Sequence, residues 1–403
     1  MTVYLVVTSA PLLVQFSLGI MLPAISDDLV LSDFEQGMLG SVAWFGTLVL
    51  YIPLSAWLSR FSPIKVTSAT ALFGVGAILV QVYAVDFGFT LLGRFLLVLP
   101  TIATGPARTT LIQQWFRDGE VATVNGLSIA AMGVTEIIAI WVSPFLIEAV
   151  GGWREALLVY GVVNVVALVA WMVIAREHPH HDVALVTAGQ SSGSALRATL
   201  RRADVWWILV AGVGSAITWS SFFTFWPTYA VDTLQLNLQT AGFIWGLGSV
   251  SLTLVSFFAG PISRRFGRKP PIITSFLLNV PTFLAMLSTD NVLLLSVFAL
   301  LMGASWFFIP ILNTVPFELP SIRPREVAMA WALFMVASNL GTTIGPLLTG
   351  ALAEAHGSFG MPLVYVNIFM AVSIIAALFL PETGRGRGRL HVVRGESEGS
   401  PAA

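Results

Sequence analysis

The chain has 403 residues, 56% of them hydrophobic and only 10% charged, with a formal net charge of −1, whereas an ordinary soluble domain carries about 25% charged residues. No single soluble core hides this much apolar surface, because soluble chains of this length split into domains; a large soluble enzyme is excluded and a protein with many membrane crossings is left. The absence of cysteine rules out a disulfide framework, a thiolate metal site and a thiol nucleophile.

Apolar stretches of about 20 residues, each long enough to cross a hydrocarbon core of about 30 Å, recur along the whole chain. Twelve are expected. The first six are 3–25, 37–58, 64–85, 90–113, 121–147 and 154–175, and the second six are 205–229, 239–262, 271–289, 292–316, 326–352 and 361–381. Runs such as VVNVVALVAWMVIA do not alternate polar with apolar residues, so these are helices and not barrel strands. The first segment has no basic leader and no A-x-A site, so it reads as a retained helix. The fold class expected is an all-α membrane protein of twelve transmembrane helices in two pseudo-symmetric six-helix bundles.

Charges inside such segments cost at least about 2.5–3.5 kcal/mol at a helix centre and mark function by default. Three stand out. Arg94 lies near one end of the fourth segment, and Arg108 some five residues from its other end, about 8 Å deep by the helix rise. Glu136 sits in the middle of the fifth, too deep to snorkel, and suits a proton-coupling carboxylate. Each also has a structural reading, as a helix-end anchor or a hydrogen-bonded acid. Uncharged polar residues within the segments include Gln15, Ser220, Ser221, Asn313 and Asn339, candidates either for contacting a solute or for interhelical hydrogen bonding.

Between the sixth and seventh segments, residues 176–203 form a polar linker holding His178, His180 and His181, read as a solvated cluster and not a metal site. The domain plan is 1–175, linker 176–203, 204–383, and a disordered tail 384–403 rich in Gly, Arg, Ser and Glu. With an even number of crossings both termini share one side. That side collects most Lys and Arg, including Arg60, Arg264, Arg265, Arg268 and Lys269, while Asp27, Asp28, Asp33, Asp86, Asp232 and Asp290 collect on the other. The bias places both termini in the cytoplasm of a plasma (inner) membrane.

The halves repeat at an offset of 205 or 206. Arg60-Phe61 recurs as Arg265-Phe266, Asp27 and Gly37 as Asp232 and Gly242, Glu120-Val121-Ala122 as Glu326-Val327-Ala328, and Leu158-Val159-Tyr160 as Leu363-Val364-Tyr365. Several matches at one offset indicate a duplication.

The loop GPISRRFGRK at 260–269 resembles the loop signature of the major facilitator superfamily. Gly260, Arg265, Gly267, Arg268 and Lys269 match it; Arg264 stands where the family has an acid. The copy in the first half keeps Arg60 and has Ser55, Ser59 and Ser62 in place of Gly, Asp and Gly. Gly93-Arg94-Phe95 is similar to the family's helix-4 arginine motif, Gly341-x-x-x-Gly345-Pro346 to a family hinge, and Pro381-Glu382-Thr383 to a common family ending. The resemblance implies a secondary transporter working by alternating access around a central site, with Arg94 facing the cavity.

No Walker-type phosphate loop occurs, and no cluster of His, Ser and acid side chains assembles at one membrane depth as an enzyme would need. The expected function is proton-coupled uptake of a small organic anion, held by Arg94, Arg108, Gln15, Ser220, Asn313 and Asn339, with Glu136 as coupling group. Alternatives are efflux of a drug or metabolite, and a membrane sensor derived from a transporter. The expected partners are a small-molecule substrate, the proton and the lipid bilayer. No nucleic acid, metal or cofactor is expected, and the protein is expected to be a monomer.

Overall fold

The computed structural model describes residues 2–115, 121–176, 192–320 and 322–383. The expected linker cluster His178, His180 and His181 and the expected disordered tail 384–403 lie outside the described residues.

Among the described residues every element is helical. α1 (Thr2–Phe16) and α2 (Leu18–Leu29) form one apolar path bent by 48°. α3 (Asp33–Leu58) and α4 (Pro63–Val82) follow, then α5 (Phe87–Leu96), α6 (Val98–Trp115), α7 (Val121–Val150) and α8 (Trp153–Ile174). A short α9 (Ser192–Leu200) leads into α10 (Ala203–Asp232), α11 (Leu238–Ser256), α12 (Ala259–Phe266) and α13 (Lys269–Met286). The chain ends through α14 (Val292–Ser305), α15 (Phe308–Leu312), a 3-10 turn at Val315–Phe317, α16 (Pro324–His356), α17 (Gly360–Tyr365) and α18 (Asn367–Leu378).

Among the described residues ten helical stretches are long and apolar enough to cross a membrane, or eleven counting the bent α1–α2 pair. Twelve were expected. The missing one, 271–289, is α13, whose 18 residues carry Lys269, Asn279 and the prolines Pro270, Pro271 and Pro281, which lower its apolar content.

The helices start where their sequences cap them. Ser32 Oγ accepts from the Glu35 backbone N–H (3.2 Å) while the Ser32 N–H donates to Glu35 Oε2 (2.9 Å). This capping box draws the polar turn DFEQ into α3, four residues ahead of the expected edge. Asn237 caps α11 by accepting from Thr240 N–H at 2.8 Å. Asp86 caps α5 and Asn291 caps α14 in the same way. Ser32 with Asn237, and Asp86 with Asn291, are each 205 positions apart, so the repeat in the sequence is also a repeat in helix starts.

Several of the long helices turn an apolar face outward. On α8, Val162, Val166, Val169 and Val173 are exposed, while Tyr160, Asn164, Ala167 and Trp171 are buried. This inverts the soluble pattern and fits a lipid-facing surface. Inside, polar side chains tie helix to helix. Asn164 Nδ2 donates to Ala10 O (3.1 Å) and Tyr4 Oη to Thr104 O (2.9 Å). In the second half, Thr218 Oγ1 donates to Val366 O (3.0 Å) and Asn279 Nδ2 to Ser305 Oγ (2.7 Å).

Successive long helices run in opposite directions. The end holding Thr2, Leu58 and Ile174, with Ala203, Phe266 and Leu378, is termed proximal; the end holding Leu29, Asp33 and Val150, with Asp232, Leu238 and His356, is termed distal.

Candidate functional site

The first and second halves of the chain meet along three helix pairs, and glycine sets the approach in each. A Cβ on Gly19 of α2 would lie 2.3 Å from Phe223 O of α10. One on Gly37 of α3 would lie 2.5 Å from Pro346 O of α16, and one on Gly242 of α11 would lie 2.7 Å from Pro144 Cγ of α7. No side chain fits at such separations, so these backbones touch. All three contacts belong to the distal part of the molecule.

A band of aromatic rings crosses the interface just proximal to them. Phe16 meets Phe223 (ring centroids 6.2 Å apart), Trp44 meets Trp219 (6.0 Å), and Trp219 stacks on Phe223 (4.9 Å). Trp245 joins Phe223 (6.3 Å) and Trp226 (5.4 Å). Trp141 Nε1 donates to Phe243 O (3.3 Å) from the opposite half.

Proximal to this band lies Glu136, half-buried on α7. Ser249 Oγ of α11 donates to its Oε1 at 3.0 Å. An acid from the first half and a hydroxyl from the second are thus joined at mid-depth, an interface contact that holds an ionisable group away from both helix ends.

The other predicted residues are spread around this point. Arg94 is 3% exposed, and its Nε donates to Leu39 O of α3 at 3.2 Å; it sits between α5 and α3 and has no ion pair among the described residues. Arg108 is half-buried on α6, within electrostatic reach of the Tyr4 phenol. Near it, a cavity of about 560 Å³ opens at the proximal end between α1, α6 and α8, lined by Tyr4, Leu111, Trp115, Trp171 and Arg176 among others. Gln15 is half-buried beside the α1–α2 bend, and Asn313 half-buried after α15. Asn339 Nδ2 donates to Met335 O of its own helix (2.8 Å). Ser220 and Ser221 are fully buried and donate to Ile217 O, at 3.3 and 2.8 Å; Ser220 packs where Gly345 of α16 passes α10.

The loop signature forms a second, separate centre at the proximal end. Gly267 ends α12 with φ +86°, a left-handed conformation that favours glycine, and a Cβ there would displace the Glu382 carboxylate. Glu382 Oε1 accepts from the Arg268 N–H (2.8 Å). The Arg268 guanidinium clasps Glu318 in bidentate fashion, at 2.9 and 2.6 Å, and Lys269 Nζ donates to Leu378 O (2.6 Å). The acids that meet the loop are Glu318, which precedes α16, and Glu382, which follows α18. The Arg268 hydrogen bonds hold the Glu318 carboxyl below its ordinary range, and Glu318 in turn raises Arg268. Arg60, Arg264 and Arg265 are exposed, with Arg265 lying over the Phe266 ring (5.3 Å), and Gly260 is half-buried in the first turn of α12.

Sequence reasoning missed Ser249, Trp44, Trp245 and Glu318. A serine or tryptophan in an apolar helix carries no signal of partner or facing, and nothing in the spacing of Glu318 ties it to Arg268, 50 residues earlier. Among the described residues no cluster of His, Asp and Glu is arranged to hold a metal.

Known proteins match over nearly the whole chain. The "Probable sulfoacetate transporter SauU" of Cupriavidus necator is 23% identical, across 91% of this chain and 89% of its own. The "Hexuronate transporter" of Bacillus subtilis is 22% identical, across 85% of each. Among solved structures, a bacterial homologue of the human lysosomal transporter Spinster, inward-facing and occupied, superposes with a TM-score of 0.80 at 14% identity, covering 94% of this chain and 95% of that one. The sequence model of the Major Facilitator Superfamily matches residues 5–323 and 249–397; with the repeated helix starts and the glycine-lined interface between the two halves, the chain belongs to that superfamily.

Proposed function

We propose that the protein is a proton-coupled importer of a small organic anion, alternating between inward- and outward-open forms, with Glu136 as the coupling group. The observation that carries this reading is the Glu136–Ser249 hydrogen bond, which links the two halves at mid-depth through a titratable group. A carboxyl able to bond across the interface couples proton occupancy to the position of the halves.

Several features support the rest. The relatives named as sulfoacetate and hexuronate transporters handle small acids, and Arg108 offers a planar cation in the proximal part of the first half. Gln15, Asn313 and Asn339, all half-buried, supply polar contacts to the same solute. The arginines and lysines at the proximal end, against the aspartates at the distal end, assign the proximal end to the cytoplasm of a plasma membrane. The close glycine contacts between the halves are distal, which supports a form closed on the outer side. Residues 1–175 and 204–383 are then the two moving bodies of a twelve-helix transporter, α13 included. Arg94, shut from solvent and held by Leu39 O, serves by fixing α5 against α3 and meets substrate only in another conformation.

The test is uptake into proteoliposomes with acid outside, using a panel of labelled carboxylates, sulfonates, sugars and cations. Accumulation of at least one small anion above protein-free liposomes is expected. Transport of a cation or sugar with no anion in the panel moved would overturn the substrate class.

A further inference from the structure

We infer that Glu148 and Glu354 are a matched pair of latches that hold the distal side closed, each gripping the first turn of a helix in the opposite half. The inference rests on the alternating-access reading. Glu354, near the distal end of α16, accepts from the Phe34 backbone N–H at 3.3 Å through Oε2. Glu148, near the distal end of α7, accepts from Gln239 Nε2 at 2.6 Å through Oε2.

The two contacts occupy matching places, although the donor is the backbone N–H of Phe34 in one and the side-chain amide of Gln239 in the other. Phe34 is the second residue of α3 after its Ser32 cap, and Gln239 the second of α11 after its Asn237 cap. The glutamates are 206 positions apart, and their targets 205. A helix start presents unpaired N–H groups and the positive end of the helix dipole, so a carboxylate from the other half is drawn to it. Gly37 and Gly242, one turn further on, let each pair of backbones meet once the carboxylate has docked.

The closed distal face needs such attraction. Asp27 and Asp33 from the first half lie within electrostatic reach of Asp232 from the second, and Asp33 also of Glu354. Like charges brought together resist closure, and the two latches oppose that resistance at the rim.

Because the chain has no cysteine, spin labels can be placed at will. One pair, Val85→Cys with Asp290→Cys, reports the distal side; another, Phe61→Cys with Phe266→Cys, reports the proximal side. All four positions are exposed, and each pair is 205 residues apart. Pulsed dipolar distances are measured in lipid nanodiscs for the parent, for Glu148→Ala/Glu354→Ala, and for Gly37→Leu/Gly242→Leu, which wedges the backbones apart whatever the latches do. The glutamate variant is expected to enlarge the long-distance distal population at least threefold and to shorten the proximal pair. A glutamate variant indistinguishable from the parent, while the glycine variant opens, overturns the latches and leaves alternating access standing. If neither variant opens, both readings fall together.

Discussion

Glu136 lies near the middle of a 30-residue helix, about 20 Å from either end by the helix rise. A carboxyl in that position was legible from the sequence because charge at mid-span is expensive and rarely kept without a role. Its partner was not. Ser249 is one of several serines in an apolar helix, and only the packing of α7 on α11 reveals which hydroxyl faces the acid. The loop residues show the same division. Gly267, Arg268 and Lys269 were found by their spacing, but the acids they meet come from positions 318 and 382, too distant in the chain for any spacing rule. The Arg268–Glu318 clasp has a pH signature. A carboxyl whose folded pKa is depressed stabilises the fold above its unfolded pKa, and loses that contribution as pH falls through the folded value. Glu318→Gln is expected to lower the unfolding temperature at pH 7 by a few degrees, with about 1–2 kcal/mol lost as a charge-assisted bond is removed. The difference from the parent should vanish on acidification below the ordinary glutamate range. Thermal unfolding followed from pH 7 to pH 3 checks this; a difference independent of pH would show that the clasp is not ionic.

At the level of helices, the periodic apolar runs located nearly every element, since a membrane span must satisfy its own backbone over about 20 residues. The discrepancies have local causes. α3 starts early because Ser32 and Glu35 cap it. The eighth expected segment, 239–262, divides into α11 and α12 at Phe257–Phe258. α13 falls short in apolar content because of its prolines, lysine and asparagine. Helix pairing is set by small residues, and here the sequence was nearly silent, because 35 glycines do not announce which are contacts. The Gly248–Gly303 crossing is one: a Cβ on Gly303 of α14 would lie 2.0 Å from Gly248 O of α11. Gly303→Leu is expected to separate α11 from α14 and to cut the yield of folded, monodisperse protein severely. Gly76→Leu should be tolerated, because a Cβ at Gly76 would meet no atom within 4 Å. Size-exclusion profiles of the two variants decide; equal profiles would show that the α11–α14 crossing does not need its glycine.

At the scale of the whole molecule, the duplication visible at an offset of 205–206 reappears as matched helix starts, matched glycine contacts and matched glutamates across the distal rim. The charged residues within the spans break that symmetry: Arg94, Arg108 and Glu136 all belong to the first half, and the position matching Arg108 is Asn313. A shared fold with chemistry concentrated on one side suits a secondary transporter in which one half carries the ionisable groups and the other, through Ser249, reports its position. The most direct test is the internal pH of proteoliposomes on addition of a transported anion. Wild-type protein is predicted to acidify the lumen as the anion enters, and Glu136→Gln to abolish that acidification while still exchanging labelled for unlabelled anion. Equal acidification by the Gln variant and the wild type would contradict the account.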